Sequence, residues 1–195
     1  MNEGVIKFNC DWIEGKPLPL NILEDIIHWR NRLFSLKLIG TDKDGIGFGN
    51  VSIRYNANQF IISGSQTSNK EKADENDFTL VTSFDIDNNL IHCKGPVQAS
   101  SESLTHAAIF SACKEANAVI HIHNKELWEK LKNKIPTTPE NAEYGTPELA
   151  IEIIKLFAHS DIMKFKILVM AGHPEGIISF GKNTKEAINS FLHYK

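Results

Sequence analysis

The chain carries two kinds of hydrophobic pattern, and the first is helical. Between residues 22 and 38, apolar residues recur at the spacing of one face of a helix. Asn21 offers an N-cap for this helix with Glu24 as its capping-box partner, and Gly40 ends the pattern. The same spacing predicts further helices over residues 100–116, 125–133 and 146–160, and a last helix after residue 183.

Two of these helices have local start signals. Thr146 stands at an N-cap position and Pro147 at the first helical position, where the missing N–H of proline costs nothing. Asn183 stands at the N-cap of the last helix, with Glu186 as its capping-box partner.

The second pattern is the alternation, or the short apolar run, of a β-strand. Short turns such as Asn56-Ala57-Asn58 join several of these strands, which favours antiparallel pairing. Gly15, Pro17 and Pro19 interrupt the beginning of the chain, so residues 1–19 are predicted to form an irregular N-terminal extension. The predicted strands are 51–55, 59–63, 78–86, 90–93, 118–124, 167–170 and 177–180.

Strands and helices are mixed along the whole chain. The fold class is therefore α/β, with a central mixed or mainly antiparallel sheet flanked by helices. A length of 195 residues is compatible with a single domain over residues 1–195.

Composition and charge exclude some classes of protein. The net charge is −3, and no run of Lys and Arg is present that would contact a phosphate backbone, so we expect no nucleic-acid partner. No apolar run is long enough to span a bilayer, and residues 1–4 show no secretory signal, so we expect no membrane partner. Three scattered cysteines without a C-x-x-C pair indicate reduced thiols and a cytoplasmic protein.

His121 and His123 stand two residues apart in a predicted strand. Side chains at this spacing point to the same face, so both imidazoles can reach one point in space. Neutral imidazole is a common metal ligand, but two ligands do not make a site, and the spacing alone leaves metal binding and simple packing open. His173, in a glycine-flanked loop between two apolar strands, is the natural third ligand; alone, it would more commonly be a solvated surface residue.

Glu102 lies at the start of the helix that leads into the His-x-His strand. It could act as a fourth ligand or a general base, or simply stabilise the first turn of the helix. His106 lies one helical turn further on, where a supporting or packing role is favoured. Ser100 and Ser101 could cap the helix or hold an anion at its N-terminus.

Small polar turns follow two of the strand boundaries. Asn50 follows Gly49, and Ser65 ends the segment Ser63-Gly64-Ser65. Such turns suit an anion, although a lone Asn or Ser in a turn commonly serves the turn itself.

Together these blocks resemble the class II aldolase/adducin family, in order and in spacing, from the first helix onward. The blocks are Gly49-Asn50-Val51-Ser52-Ile53-Arg54, Phe60-Ile61-Ile62-Ser63-Gly64-Ser65, Ala99-Ser100-Ser101-Glu102 with His106, Asn117-Ala118-Val119-Ile120-His121-Ile122-His123, Tyr144-Gly145-Thr146-Pro147-Glu148-Leu149-Ala150, and His173 with Gly176.

The resemblance implies a mainly antiparallel sheet flanked by helices and a divalent metal, usually zinc, on His121, His123 and His173. It also implies that Glu102 is the acid/base near the metal. The implied phosphate pocket consists of Asn50, Ser65, Ser100 and Ser101, and aldolases of the family are tetramers with sites at subunit boundaries.

The chain departs from the family pattern at four places. Ala99 replaces a proline, and Ser65-Gln66 replaces a Thr-Gly pair in the phosphate-binding turn. The last ligand block, 173–176, is longer than the usual His-Gly. The short interval between His123 and Gly145 contains no clear counterpart of the tyrosine that aldolases of the family lend to a neighbouring subunit.

The resemblance therefore predicts a metal-dependent lyase that acts on a small hydroxy-carbonyl substrate, in particular a sugar phosphate, by retro-aldol cleavage through a metal-stabilised enediolate. Epimerisation, dehydration or decarboxylation on the same metal site remain open. So does a non-catalytic assembly role like that of the adducin head, against which the intact histidines argue. Cupins also use a His-x-His strand, but the predicted helices argue against an all-β barrel.

Overall fold

The computed structural model describes residues 4–194. Within them, the helices are α1 (Leu20–Ser35), α2 (Ser103–Ala112), α3 (Lys125–Leu131), α4 (Pro147–His159), α5 (Ile162–Phe165) and α6 (Thr184–Leu192), with a 3-10 turn at Glu75–Asp77. The strands are β1 (Asn9–Glu14), β2 (Gly40–Thr41), β3 (Gly47–Phe48), β4 (Asn50–Asn56), β5 (Gln59–Ser63), β6 (Phe78–Asp85), β7 (Leu90–Gly95), β8 (Ala118–His123), β9 (Thr137–Thr138), β10 (Ile167–Met170) and β11 (Gly176–Gly181).

One large sheet organises the fold. Across the described residues its strand order is β1-β7-β6-β5-β4-β8-β11-β10-β9. Neighbouring strands are antiparallel except at the two edges, where β1 runs parallel to β7 and β9 runs parallel to β10. The strands β2 and β3 form a separate antiparallel pair. The prediction of a mainly antiparallel central sheet flanked by helices is confirmed.

The sheet separates two hydrophobic cores. Helices α2, α4 and α5 cover one face, here called the α2 face, and helices α1, α3 and α6 cover the other. Successive residues of a strand enter opposite cores, so that Val119 of β8 packs on the α2 face and Ile120 packs beneath α1. Because His121 and His123 follow Val119 at the period of two, both lie on the α2 face.

The N-terminal extension is not irregular throughout, and that prediction was wrong for residues 9–14. These residues form β1, the edge strand, which pairs in parallel with β7. Cys10 and Trp12 pack against the core of the α2 face, and the Trp12 indole donates to the carbonyl of Gly95 at 3.0 Å. Residues 1–3 of the extension lie outside the described residues, and a single domain over 1–195 stays a prediction.

The starts of α3, α4 and α6 were predicted correctly, and those of α1 and α2 were not. The side chains of Thr146 and Asn183 accept from the backbone at the starts of α4 and α6. Helix α1, however, begins at Leu20 after Pro19, whose fixed φ directs the chain into the helix early, so Asn21 lies inside the first turn and caps nothing. Helix α2 is shorter than predicted, because residues 100–102 form a turn and the helix ends before residue 113. Among residues 4–194, no helix has the length and apolarity that crossing a bilayer requires.

Candidate metal centre

The central ladder of the sheet aligns the first two histidines with their neighbours. His121 of β8 lies opposite Asn50 of β4 on one side and Ile178 of β11 on the other, and His123 lies opposite Gly176. Directly opposite residues share a face in an antiparallel pair, so Asn50 points to the same face as His121. The predicted same-face geometry of the two histidines is therefore present.

His173 enters the same space from the turn between β10 and β11. The turn is held by two backbone hydrogen bonds, from His173 N–H to the Met170 carbonyl and from Gly176 N–H to the His173 carbonyl. A Cβ on Gly176 would lie 2.6 Å from Cδ2 of His173, so only glycine lets the ring fold back over the end of β11. The Nε2 atoms of His123 and His173 are 3.0 Å apart.

The three imidazoles fit a metal ion. One ligand atom from each of His121, His123 and His173 lies within 4.8 Å of the other two, and all three side chains are buried. Both ring nitrogens of His121 are buried without a hydrogen-bond partner. A buried polar nitrogen without a partner costs free energy, and coordination of an ion by one of them would remove part of that cost.

Burial also keeps two rings of the cluster, those of His121 and His173, in the form that binds metals. Desolvation lowers the pKa of His121 far below its ordinary value, and the neighbouring histidines add to the effect. Desolvation likewise lowers the pKa of His173, assisted by His123 and by the Lys7 ammonium. Neutral imidazole is the ligand form, so these rings need not lose a proton before they coordinate.

Glu102 is positioned beside the cluster. It occupies the N-cap position of α2, but its side chain makes no capping hydrogen bond. One carboxylate oxygen accepts from the Thr105 hydroxyl at 2.7 Å, and the other lies 3.9 Å from Nε2 of His173. The residue is only 3% exposed. A carboxyl group is thus fixed next to three imidazoles, where it can exchange a proton or contact a cation.

His106 lies in the core of the α2 face, and its supporting or packing role stays a prediction. Its Nδ1 is 2.6 Å from the Ser52 hydroxyl, and its Nε2 is buried without a hydrogen-bond partner. Desolvation lowers the pKa of His106 to about 3, so the ring is neutral at physiological pH.

The four residues expected to bind an anion line a single pocket together with Glu102 and His121. Asn50, Ser65, Ser100 and Ser101 come from β4, the turn after β5 and the turn before α2. The side-chain oxygen of Asn50 is buried without a hydrogen-bond partner. Among the described residues that line this pocket, none is Lys or Arg. An anion would therefore be bound by hydroxyl, amide and backbone N–H groups.

Gln66 lines the same pocket in a backbone conformation that favours glycine. Its φ is +60°, in the left-handed region. Gln66 therefore places left-handed strain in the turn and a long side chain at the pocket wall.

Sequence reasoning missed two aromatic groups of the site. The Phe48 ring stacks on His123 with centroids 5.1 Å apart. The Tyr144 ring packs on His173 with centroids 4.8 Å apart and lines the pocket. Tyr144 stands directly before Gly145-Thr146, and that position brings it into the pocket. A Cβ on Gly145, whose φ is +68°, would lie 2.7 Å from the Ser101 carbonyl, which shows how closely this turn abuts the anion-binding segment.

Comparison with known proteins agrees with this architecture. Residues 40–195 match the family model described as "Class II Aldolase and Adducin N-terminal domain". The chain belongs to the class II aldolase and adducin family. No curated protein sequence matches the chain significantly.

Solved structures of low sequence identity share the fold. L-fuculose 1-phosphate aldolase superposes with a TM-score of 0.67 at 20% identity, over 90% of this chain and 82% of its own. YgbL of Klebsiella pneumoniae, a proposed aldolase/epimerase/decarboxylase, gives a TM-score of 0.66 at 16% identity, over 89% and 84% of the two chains. A sugar-phosphate aldolase from Thermotoga maritima gives 0.64 at 15% identity, over 90% of each chain.

Proposed function

We propose that this protein is a metal-dependent lyase of the class II aldolase type, which cleaves a small hydroxy-carbonyl substrate, in particular a sugar phosphate. His121, His123 and His173 hold a divalent ion, for which zinc is our candidate, and Glu102 is the acid/base. The observation that carries the proposal is the convergence of three buried histidines whose ligand atoms lie within 4.8 Å of one another, with a buried carboxylate 3.9 Å from one of them. Family membership supports it.

A divalent ion bound at this place supplies Lewis-acid chemistry, because it polarises a substrate oxygen and stabilises the negative charge that develops there. Zinc is favoured because three neutral nitrogen ligands with one open position are typical of a catalytic zinc site. The protein holds the three rings through the β8 ladder and the tight turn that ends at Gly176. The aromatic rings of Phe48 and Tyr144 pack against two of them and restrict their rotation.

Glu102 is the group proposed to move the proton. The Thr105 hydroxyl donates to one of its oxygens and fixes the carboxylate in one orientation. The other oxygen lies 3.9 Å from Nε2 of His173, and Glu102 lines the pocket in which a substrate bound to the same ion would lie. A base fixed at hydrogen-bond distance of the reacting group typically contributes about 10²–10⁴-fold to the rate.

The pocket polar groups are proposed to hold the anionic end of the substrate. Asn50 offers an amide group, and Ser65, Ser100 and Ser101 offer hydroxyls and backbone N–H groups. The side chain of Gln66 stands where a phosphate would approach the backbone of the turn. We therefore expect weaker or altered phosphate binding rather than none.

Epimerisation, dehydration and decarboxylation are the alternative reactions at this site, since each can use the same ion and the same base. YgbL, which is named as an aldolase/epimerase/decarboxylase, is similar to this chain in fold. A non-catalytic assembly role like that of the adducin head is the remaining alternative. The buried and precisely oriented Glu102, which packing alone does not require, argues against it.

Metal analysis of the purified protein, followed by one substitution, tests the proposal. We expect about one equivalent of divalent ion per chain. The substitution Glu102→Gln keeps the shape and the Thr105 contact, so it should leave the metal content unchanged and lower turnover at least 10²-fold. Glu148→Gln is the matched control, because Glu148 is an exposed carboxylate in the first turn of α4. Full turnover in the Glu102→Gln variant would exclude the acid/base role.

An assay against phosphorylated ketoses and their unphosphorylated counterparts tests the substrate class. Cleavage of the phosphorylated forms supports the aldolase proposal, whereas isomerised, dehydrated or decarboxylated products would assign one of the alternatives.

The cysteine pattern is the reason for which we also propose a cytoplasmic location. Members of the family that cleave sugar phosphates assemble as tetramers, so we propose a homotetramer. A mass in solution of four times the 21.9 kDa chain would support the assembly, and a mass of one chain would refute it.

A further inference from the structure

Two cysteines that are far apart in the sequence meet at the edge of the sheet. Cys10 lies on β1 and Cys93 on β7, 83 residues later, and their Sγ atoms are 3.7 Å apart. Both are free thiols. Nothing in the proposed aldolase chemistry uses either of them.

The strand pairing explains why the thiols meet. In the parallel ladder, Cys10 lies opposite Ile91 and Cys93 lies opposite Trp12, so the two cysteines are diagonal neighbours on adjacent strands. All four residues pack on the α2 face. A disulfide needs an S–S distance of about 2.0 Å, so the sulfurs must approach by roughly 1.7 Å. The edge strand β1 is bonded in the sheet to β7 alone, so it can adjust more readily than a central strand.

The surroundings make one of the thiols reactive. The hydrogen bond from Cys10 lowers the pKa of the Cys93 thiol to about 7 against the opposing effect of burial, and the backbone N–H of Ala99 assists. The same interaction raises the pKa of Cys10. Ionisation of the pair therefore favours a thiolate at Cys93 that accepts a hydrogen bond from the thiol of Cys10, and a thiolate is the form that peroxides oxidise. Cys10 is partly exposed and gives a small oxidant access.

We propose that Cys10 and Cys93 are a reversible redox modification site, at which a peroxide closes a disulfide between β1 and β7. The Cys93 thiolate attacks one oxygen of hydrogen peroxide; an S–O bond forms, the O–O bond breaks, and hydroxide leaves. The thiol of Cys10 then attacks the sulfur of the resulting sulfenic acid, the S–O bond breaks, and water leaves with the Cys10 proton. Two thiols are oxidised by two electrons, and one peroxide is reduced to two waters.

The disulfide would form close to two segments that line the pocket of the candidate metal centre. Ala99, whose backbone N–H lowers the pKa of the Cys93 thiol, directly precedes Ser100 and Ser101 in the turn that lines the pocket. The disulfide would also tie the N-terminal segment to the sheet, and Gly4 of that segment lines the same pocket.

Thiol counting on the whole protein tests the proposal. Hydrogen peroxide should lower the free thiols of the denatured chain from three to one, with an intact mass lower by about 2 Da, and dithiothreitol should reverse both changes. Peptide mapping should find Cys10 linked to Cys93. The variant Cys113→Ser is the matched control and should still close the bridge, whereas Cys10→Ser and Cys93→Ser should not.

Three reaction products would each overturn the proposal. They are a bridge that includes Cys113, a bridge between two chains, and Cys93 oxidised to sulfinic acid while Cys10 keeps its thiol. Thermal unfolding adds a second measurement that does not depend on variants. A bridge that fits the native strands should raise the Tm of the oxidised protein by about 5 °C or more, because it closes a long loop. A lower Tm would mean that the bond forces β1 away from β7, and it would refute the native pairing.

Discussion

At the scale of single residues, burial favours the neutral form of two histidines at the candidate metal centre, His106 and His121. His106 and His121 are almost fully buried, and desolvation lowers the pKa of both. In the unfolded chain a histidine titrates near its ordinary value of about 6.5. Below that pH the unfolded state therefore binds more protons than the folded state, and the folded state loses stability as the pH falls.

We predict that His106→Gln flattens the acid dependence of stability in the metal-free protein. For His106 the window extends from about 6.5 in the unfolded chain down to about 3 in the folded protein. Within it, one neutral buried histidine contributes a slope of about 1.4 kcal/mol per pH unit, which the variant should lack. Urea unfolding at pH 7, 6, 5 and 4 measures the slope. The exposed His159 is the control, and His159→Gln should keep the wild-type slope; equal slopes in wild type and His106→Gln would contradict the prediction.

Gln66 is a second single residue with a testable effect, because its side chain restricts how closely a phosphate can approach the turn. Its left-handed backbone costs roughly 1–2 kcal/mol, and its side chain stands at the pocket wall. We predict that Gln66→Gly binds inorganic phosphate about tenfold more tightly, because a phosphate could then approach the turn and gain one charge-assisted backbone hydrogen bond.

Isothermal titration of inorganic phosphate measures the effect of Gln66→Gly. Asn133→Gly is its control, since Asn133 is an exposed residue with a φ of +63° that lies outside the pocket. Its phosphate affinity should equal that of the wild type. A Gln66→Gly variant with unchanged affinity would show that the side chain does not restrict the turn.

At the scale of elements, the candidate site depends on how turns contact one another. The turn before α4 reaches the turn before α2, where Gly145 lies against the Ser101 carbonyl. The turn between β10 and β11 aims His173 at β8. The turn before α4 and the turn between β10 and β11 each contain a glycine that permits a close approach, so the site is sensitive to single methyl groups at these positions.

We predict that Gly145→Ala destabilises the protein more than Gly45→Ala does. Both glycines have positive φ, of +68° and +79°, so both variants bear the same left-handed strain. A Cβ at Gly45 has nothing within 4 Å, whereas a Cβ at Gly145 meets the Ser101 carbonyl oxygen at 2.7 Å. The additional loss in the free energy of unfolding should be about 1–3 kcal/mol by urea titration. Equal losses in the two variants would contradict the prediction, because they would mean that the turn at Gly145 can move away from the Ser101 carbonyl without a loss of stability.

At the scale of the whole molecule, the cluster joins parts of the chain that are distant in sequence. Its three histidines come from β8 and from the turn after β10, and Glu102 comes from the start of α2. An ion that binds all three histidines would therefore stabilise the folded state as a unit, because the unfolded chain does not bring them together.

We predict that zinc raises the Tm of the metal-free protein. At 1,000 times the dissociation constant, binding adds about 4 kcal/mol, or roughly 8–16 °C for a chain of this size. Differential scanning calorimetry with and without zinc measures the shift. The variant His121→Ala should abolish it, and His28→Ala should retain it because His28 is exposed on α1. A shift that persists in His121→Ala would place the zinc elsewhere.

The sequence alone determined what depends on neighbours along the chain. The period of two placed His121 and His123 on one face, and the local start signals at Thr146 and Asn183 predicted the beginnings of α4 and α6. These features depend on backbone geometry within one turn or one strand, which the adjacent residues set. The family blocks added the ligand set and the pocket residues, whose roles stay predictions.

Only the tertiary structure decided what depends on distant contacts. The strand β1 exists because Cys10 and Trp12 can pack on the core beside β7, and a short alternating segment between glycine and proline residues does not reveal such a partner. The same pairing brings Cys10 to Cys93, and chain folding brings Phe48 and Tyr144 onto the histidines. Strand partners and ring contacts are selected by burial of the whole core, so the local pattern of residues does not encode them.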